Sequence, residues 1–266
     1  MSLTKEAMEH IENNAVAGKR VEEFFEPIIL PDGYRVEDME QYRENRNRFR
    51  GKFQTNSISE FGKYASEQPL GACFINSDEM RARMIFDLGT IDAPKHCKHT
   101  AELALRMTHQ YSAMHNIDGA RLDQKGLAEF IEDYRLYIDC YDGSKEAIEI
   151  KNAIAAIRRV TIEAKAESDY QVKQFSASKS AMEQIDASSG GGPMVGFICF
   201  RCVPYYGLNE YDFWLRVSLL ASHDKPQFIL RTTSLEAVLE EAVEEFKQRV
   251  TDAAAGKSIY IGTFTS

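Results

Sequence analysis

The spacing of apolar residues in the first third of the chain predicts helices and one hairpin. Apolar positions recur at helical spacing over residues 3–17, and a turn at residues 31–33 is followed by a predicted helix to about Phe49. Ser57 with Glu60 three residues later is a capping box for a further short helix. The segments ACFIN and RARMIFDLG, separated by Ser-Asp-Glu, predict a β-hairpin.

Helical spacing dominates the middle of the chain. Apolar residues predict a helix over residues 100–115, a second around 127–134, and a third that begins at Ser144 and continues to about Ile157. The middle third is therefore predicted to be a helical block.

The pattern changes to alternation after residue 160. Residues 160–178 alternate, and after a glycine run the segments MVGFICFRC, DFWLRVSLL and PQFILRT predict antiparallel strands, so one sheet is expected over residues 160–232. Trp214 is expected to be mostly buried against the helical block. Ser234 is predicted to cap an acidic helix, and KSIYIGTF to close the chain as a strand.

This order of elements predicts an α+β fold. The sheet is mainly antiparallel, the helical block is inserted in the N-terminal half, and a long acidic helix precedes the C-terminal strand. Helices and strands do not alternate regularly, which argues against a doubly wound nucleotide-binding fold. We expect a single domain over residues 1–266; the alternative is a helical and hairpin half, 1–160, and a sheet and helix half, 161–266.

Composition narrows the functional classes. The formal charge of -9 excludes a uniformly basic surface, so any nucleic-acid contact must be regional. The five cysteines are odd in number and widely spaced, which is typical of reduced thiols in a cytoplasm. No apolar run approaches 18 residues, so we expect a cytoplasmic protein without a membrane segment.

Several segments together resemble one known family. In chain order they are LPDGY, SISEFGKYA, CFINSDEMRARMIFDL, HTAELALRMTHQY and LDQKGLAEFIEDY, spanning about residues 30 to 134. They are similar to the landmarks of the YfdQ-like family of phage and prophage proteins. The resemblance implies a phage or prophage accessory gene, often near replication and recombination genes. It supplies no catalytic residue, because none of these segments is a catalytic signature.

The densest group of potential metal ligands surrounds His96 and His99. Cys97 lies between them, and the other members are Asp87, Asp92 and His109. If a helix began by Lys95, the two imidazoles could share a face and hold a metal that activates water. The same residues also suit a solvated helix entry, so a metal-dependent hydrolase acting on a nucleotide or nucleic acid is the alternative function. We expect no tightly bound metal there.

Other catalytic patterns are weak. Cys199 and Cys202 are three apart in a predicted strand, so their thiols face opposite sides and cannot share a metal. The segment AAAGKS ends like a phosphate-binding loop but follows a helix, which favours a glycine that ends that helix. Glu129 and Asp133 share a helix face where ordinary ion pairing is expected. No nucleophile motif is present, so the sequence predicts no catalytic residue and no cofactor.

The strongest local anomaly is a basic stretch in this acidic protein. Its cations are interleaved with Tyr42, Phe49 and Phe53, a combination that can pair with phosphate and stack bases; they are Arg43, Arg46, Arg48, Arg50 and Lys52. A solvated helix face and an interface to an acidic partner remain open alternatives. The complementary acidic stretch could be that partner in a neighbouring subunit, and consists of Glu236, Glu240, Glu241, Glu244 and Glu245.

These observations favour a cytoplasmic, homo-oligomeric protein that works by recognition and not by turnover. The expected role is in phage DNA metabolism or recombination, through nucleic acid, or in neutralising a host defence protein. If the basic stretch binds phosphate, replacing Arg46, Arg48 and Arg50 together weakens binding whatever the nucleic-acid sequence. If it contacts the acidic stretch of a neighbour, the same change breaks the oligomer.

Overall fold

The structure is a computed structural model that describes residues 4–6, 8–10, 35, 40–160, 193–222 and 225–265. The chain forms two compact units, Met1–Phe49 and Arg50–Ser266. The turn predicted at 31–33, the alternating segment from residue 161 onward and the glycine run lie outside the described residues.

Only short stretches of the first unit are described. Residues 5–6 and 8–10 are helical, in agreement with the prediction for this part. Glu40–Tyr42 forms one 3-10 turn. Residues 43–49 are not helical, so the predicted helix to about Phe49 is wrong for this part. The Glu40 carboxylate accepts a hydrogen bond from the Asn47 amide (3.2 Å), which stabilises a compact loop in place of helical turns.

The second unit contains a mixed five-stranded sheet. Its strands are β1 (Gly51–Thr55), β2 (Ala72–Asn76), β3 (Arg81–Ile85), β4 (His99–Ala104) and β11 (Ser258–Ile261). The spatial order is β1-β4-β3-β2-β11. The two edge strands run parallel to their neighbours and the central pairs are antiparallel. The predicted hairpin is confirmed as β2 and β3.

The second sheet has six strands and is antiparallel throughout. Its strands are β5 (Arg121–Asp123), β6 (Ile138–Tyr141), β7 (Ala147–Ile148), β8 (Phe197–Cys202), β9 (Tyr211–Ser222) and β10 (Lys225–Thr233). The order is β5-β10-β9-β8-β6-β7. The three strands predicted after the glycine run are confirmed, and strands from before residue 160 pair with them on both sides.

Helices cover one face of each sheet. They are α1 (Ile58–Ser66), α2 (His109–Ile117), α3 (Gln124–Asp133), α4 (Ile150–Arg159) and α5 (Leu235–Ala253). Side chains of α2, α3 and α4 form one core with the six-stranded sheet. Side chains of α1 and α5 form a second core with the five-stranded sheet, while the first turns of α5 reach the first core. The α+β class is therefore confirmed.

The helical predictions hold where local signals mark a helix start. The Ser57 hydroxyl accepts a hydrogen bond from the Glu60 amide (3.3 Å) and caps α1, as expected. The helix predicted over 100–115 is wrong in its first half, because residues 99–104 pair with strands on both sides as β4. The helix predicted from Ser144 begins at Ile150, after the short strand β7. The acidic helix is confirmed, although Ser234 makes no side-chain cap.

Candidate functional site

The six-stranded sheet has one face packed against helices and one that faces away from them. Alternation along β9 sends Phe213, Leu215 and Val217 into the core. Trp214 and Arg216 therefore lie on the opposite face, called the open face here because none of the described helices packs on it, and both are half-buried. The prediction that Trp214 is buried against the helical block is wrong. Its two neighbours in the strand occupy the core, and a one-residue offset reverses the face of a side chain.

Strand register places aromatic and cationic side chains side by side on this open face. Arg216 of β9 lies opposite Arg231 of β10 and opposite Phe197 of β8. Phe197 in turn lies opposite Tyr141 of β6. One row across four strands therefore carries two arginines and then two aromatic rings. Arg121 of β5 is on the same face, because its register partner alternates with core residues of β10.

The indole of Trp214 lies close to this row. Its ring centroid is 5.0 Å from that of Tyr141. The Lys145 ammonium lies over both the Phe197 and Trp214 rings, 5.5 Å and 5.3 Å from the two centroids. These are cation–π distances. Two aromatic rings on adjacent strands thus have the same lysine ammonium over their faces.

A rigid turn holds Lys145 in this position. The Asp142 carboxylate accepts hydrogen bonds from the backbone amides of Ser144 and Glu146, each 2.8 Å long. Lys145 itself has a φ of 66°, in the left-handed region. Gly196 allows the turn to approach β8, because a Cβ there would lie 2.8 Å from the Gly143 nitrogen. Backbone contacts, and not the lysine side chain, therefore fix the height of this turn above the sheet.

Charge is distributed unevenly over the open face. At one end Arg201 donates to the Asp212 carboxylate (2.7 Å) and lies 3.9 Å from Asp139, so its charge is neutralised within the sheet. The exposed side chains of Arg121 and Arg231 have no carboxylate partner among the residues that the structure describes. Among the described side chains, the part of the face formed by β5 and β10 is therefore positively charged. In the part formed by β6 and β8, the charge of Arg201 is offset by carboxylates.

This arrangement can bind an anionic chain that carries planar groups. Aromatic rings on an open sheet face offer stacking surfaces to unpaired bases, and arginines beside them offer donors to phosphate. Stacking needs unstacked bases, so the chemistry favours a single strand over a duplex.

The residues of the basic stretch predicted from the sequence differ in their exposure and in their partners. Arg43, Arg46 and Phe49 are exposed in the first unit, and the Arg43 guanidinium donates to the Asn47 side chain (2.5 Å). Lys52 lies on β1 of the second unit and pairs with Glu102 at 2.6 Å. Arg48 and Arg50 are half-buried. Lys52 therefore has fewer donors to offer a phosphate than the prediction requires.

The acidic stretch lies on α5, where its members differ in surroundings. Glu236, Glu240 and Glu241 are exposed. Glu244 pairs with Lys247 on the next turn (2.7 Å). Glu245 is held within the protein, since its carboxylate accepts from Arg249 (2.7 Å) and from the Tyr211 hydroxyl (2.7 Å), and its side chain is only 13% exposed. The exposed members remain available to a partner.

The predicted histidine cluster does not converge. No helix begins at Lys95, His96 is exposed in a loop, and His99 opens β4 with only 7% of its surface accessible. The His99 ring contacts the Tyr64 hydroxyl (3.0 Å), and burial lowers its pKa. Asp87 uses its carboxylate to accept the backbone amides of Lys98 and His99. Within the described part of the chain, no group of three or more potential ligands is placed to hold a metal.

All five cysteines are free thiols. Cys199 and Cys202 are both buried, and their places in β8 put them on opposite faces, as the strand spacing predicts. Burial raises the pKa of the Cys199 thiol to about 11 and that of the Cys202 thiol to about 12. Neither is therefore poised as a nucleophile or as a ligand.

The sequence analysis missed the residues of the open face. They come from four segments between Arg121 and Arg231, and no local motif joins them. The available signal was the alternation of β8, β9 and β10, which separates Phe197 and Trp214 from the core positions once the register is known. The cation over these rings comes from a turn whose position only the fold defines.

The fold defines an α+β protein with two sheets. No described helix is both long and apolar enough to cross a membrane. Residues 4–264 match the family model DUF2303, described as an uncharacterized conserved protein. The chain belongs to this family. Neither the curated proteins nor the solved structures include a match to the chain.

Proposed function

We propose that this protein binds single-stranded nucleic acid through the open face of its six-stranded sheet, without catalytic turnover. The observation that carries the proposal is the diagonal placement of Phe197 and Trp214 on adjacent strands, with the exposed Arg231 two strands away in the Phe197 row. Rings supply sequence-tolerant stacking and arginines supply phosphate contacts, the combination used by single-strand-binding surfaces.

The biological setting follows from the family resemblance of residues 30 to 134. We propose a phage or prophage accessory protein that acts in the host cytoplasm during DNA replication or recombination, where single strands are exposed. The exposed arginines of the basic stretch, Arg43 and Arg46, would add a second cationic contact, and the exposed glutamates of α5 would suit assembly into a homo-oligomer. Neutralisation of a host protein is the competing role, and the experiment below separates the two.

The test uses the emission of Trp214, the only tryptophan in the chain. Purified protein is titrated with an oligodeoxynucleotide, an oligoribonucleotide and a DNA duplex over a series of salt concentrations. We expect the single strands to quench the emission through stacking, the duplex to bind more weakly, and log K to fall linearly with log salt.

A matched pair of variants assigns the contact to the face. Arg231→Gln removes a cation from the open face and should reduce the salt slope by about 0.7, the value for one phosphate of a single strand. Arg135→Gln removes an exposed cation that follows α3, a helix on the other side of the sheet, and should leave the slope unchanged. Absence of quenching and of binding with every nucleic acid would reject the proposal and favour a protein target.

A further inference from the structure

The turn between β6 and β7 carries a cation over the proposed stacking surface. Lys145 is exposed, yet its ammonium lies over Phe197 and over Trp214 at 5.5 Å and 5.3 Å from their centroids. A base stacked on either ring would occupy the space directly over that ring. The lysine in its present position and a stacked base therefore exclude each other.

We infer that Lys145 is a displaceable cover of the stacking site, which a base replaces and which then contacts the phosphate of the bound strand. The inference rests on the proposed function. In the ligand-free protein the ammonium shields two aromatic faces from water without burying its own charge. When a base arrives, the long flexible side chain can move aside while the turn stays in place, because the turn is held by hydrogen bonds from its backbone amides to the Asp142 carboxylate, in which the Lys145 side chain takes no part.

The magnitudes favour displacement. An exposed cation–π contact corresponds to about a 2- to 5-fold change in an equilibrium constant, whereas stacking of a base on an aromatic side chain corresponds to about 5- to 150-fold. The displaced ammonium remains near the strand, where a phosphate offers it a stronger partner than a ring. The free-energy cost of moving the ammonium off the rings is therefore small at low salt, where its contact with phosphate is strong. The cost is larger at high salt, where that contact is screened.

The decisive variant is Lys145→Gln, which keeps the length of the side chain and removes its charge. Its binding to a single-stranded oligonucleotide is compared with that of the unaltered protein across a salt series, by Trp214 emission. We expect weaker binding at low salt, a salt slope smaller by about 0.7, and binding about 2- to 5-fold tighter at the high-salt end. The plots of log K against log salt for the variant and for the unaltered protein should therefore cross.

Two controls make the result specific. Lys145→Arg keeps a cation that can cover a ring and contact phosphate, so it should retain the original slope. Lys125→Gln removes a lysine that pairs with Glu129 on α3, and should change neither slope nor affinity. An unchanged slope in Lys145→Gln, or weaker binding at every salt concentration, would overturn the inference while leaving the proposed function standing. Absence of any Trp214 response in the unaltered protein would instead reject the proposed function itself.

Discussion

The two sheets of the second unit each carry aromatic rings and cations on the face that points away from the helices, and the two faces differ in what contacts those rings and cations. On the five-stranded sheet Glu102 stands at the centre of the face. Its carboxylate pairs with Lys52 (2.6 Å), lies 3.9 Å from Arg83 and accepts from Gln54 (3.4 Å). This one carboxylate thus contacts both Lys52 and Arg83 and offsets one of their two positive charges.

The aromatic rings differ in the same way. On the five-stranded sheet Phe74 stacks with Tyr260 at 5.3 Å between centroids and packs against Phe264 at 4.8 Å, so rings cover rings. Arg83 also donates to the Phe264 carbonyl, which ties the chain end to the sheet. On the six-stranded sheet Trp214 packs beside Tyr141 at 5.0 Å, and the group that lies over Trp214 and Phe197 is the ammonium of the exposed Lys145. Residue types alone therefore do not define a binding face; what covers each ring decides whether a ligand can replace it.

The largest expected effect comes from removing one aromatic ring from each of the two faces and comparing how much binding is lost. Trp214→Leu should weaken binding of a fluorescein-labelled single strand by about 5- to 150-fold, the range for one stacked base. Tyr260→Leu removes a ring of similar type from the five-stranded sheet, where it is 52% exposed, and should leave binding unchanged. Fluorescence anisotropy measures both, because the label does not depend on the tryptophan.

Two results would break this comparison. Equal weakening by the two variants would place the ligand on both sheets or show that each acts through stability, which thermal unfolding of each variant distinguishes. Unchanged binding in Trp214→Leu would remove the indole from the site.

Local patterns in the sequence predict much of this fold. The cap at Ser57, the β2–β3 hairpin, the strands β8 to β10 and the acidic helix α5 are all correct, because each depends on neighbouring residues: a capping side chain, an alternation or a helical stripe. These signals act within a few residues, so a single sequence is enough to find them.

Pairing between distant segments decides the elements that the sequence analysis missed. Leu103, Met107 and Tyr111 are four residues apart, a spacing that also fits a helix, but residues 99–104 form β4 because β1 and β3 flank them. Trp214 alternates with the core residues Phe213 and Leu215, which places it on the face of Arg216, and pairing with β8 and β10 fixes which side chains surround it there. The open face could not be predicted for the same reason, since its rings and cations meet only through that register.

A smaller effect is expected from the glycine that seats the turn beneath Lys145. Gly196→Ala places a methyl group 2.8 Å from the Gly143 nitrogen and 2.9 Å from its Cα, and backbone atoms cannot move aside as a side chain can. We expect a loss of about 1–3 kcal/mol in the free energy of unfolding, as for other overpacked sites, measured by urea denaturation.

The control for this change is the same substitution in a helix. Gly126 lies in α3, where its added methyl would come no nearer than 3.2 Å to the Asp123 carboxylate oxygen, so Gly126→Ala should be neutral or stabilising through higher helix propensity. If Gly196→Ala proves as stable as the unaltered protein, the turn can shift, and its height above the sheet is not fixed by this glycine.

The smallest effect concerns the carboxylate that distinguishes the five-stranded face. Glu102→Gln removes the negative charge between Lys52 and Arg83 but keeps the shape of the side chain. All three side chains are partly exposed, so we expect a loss of no more than about 1 kcal/mol in stability.

The same substitution gives the five-stranded face one more net positive charge, so weak, salt-sensitive binding of single strands should appear in addition to the original site. This added binding should not quench Trp214, which lies on the other sheet, so a labelled strand should report more binding than the tryptophan does. Glu102→Asp keeps the charge and serves as the control. If Glu102→Gln leaves both signals unchanged, ring coverage by Phe74, Tyr260 and Phe264, and not charge, is what closes this face.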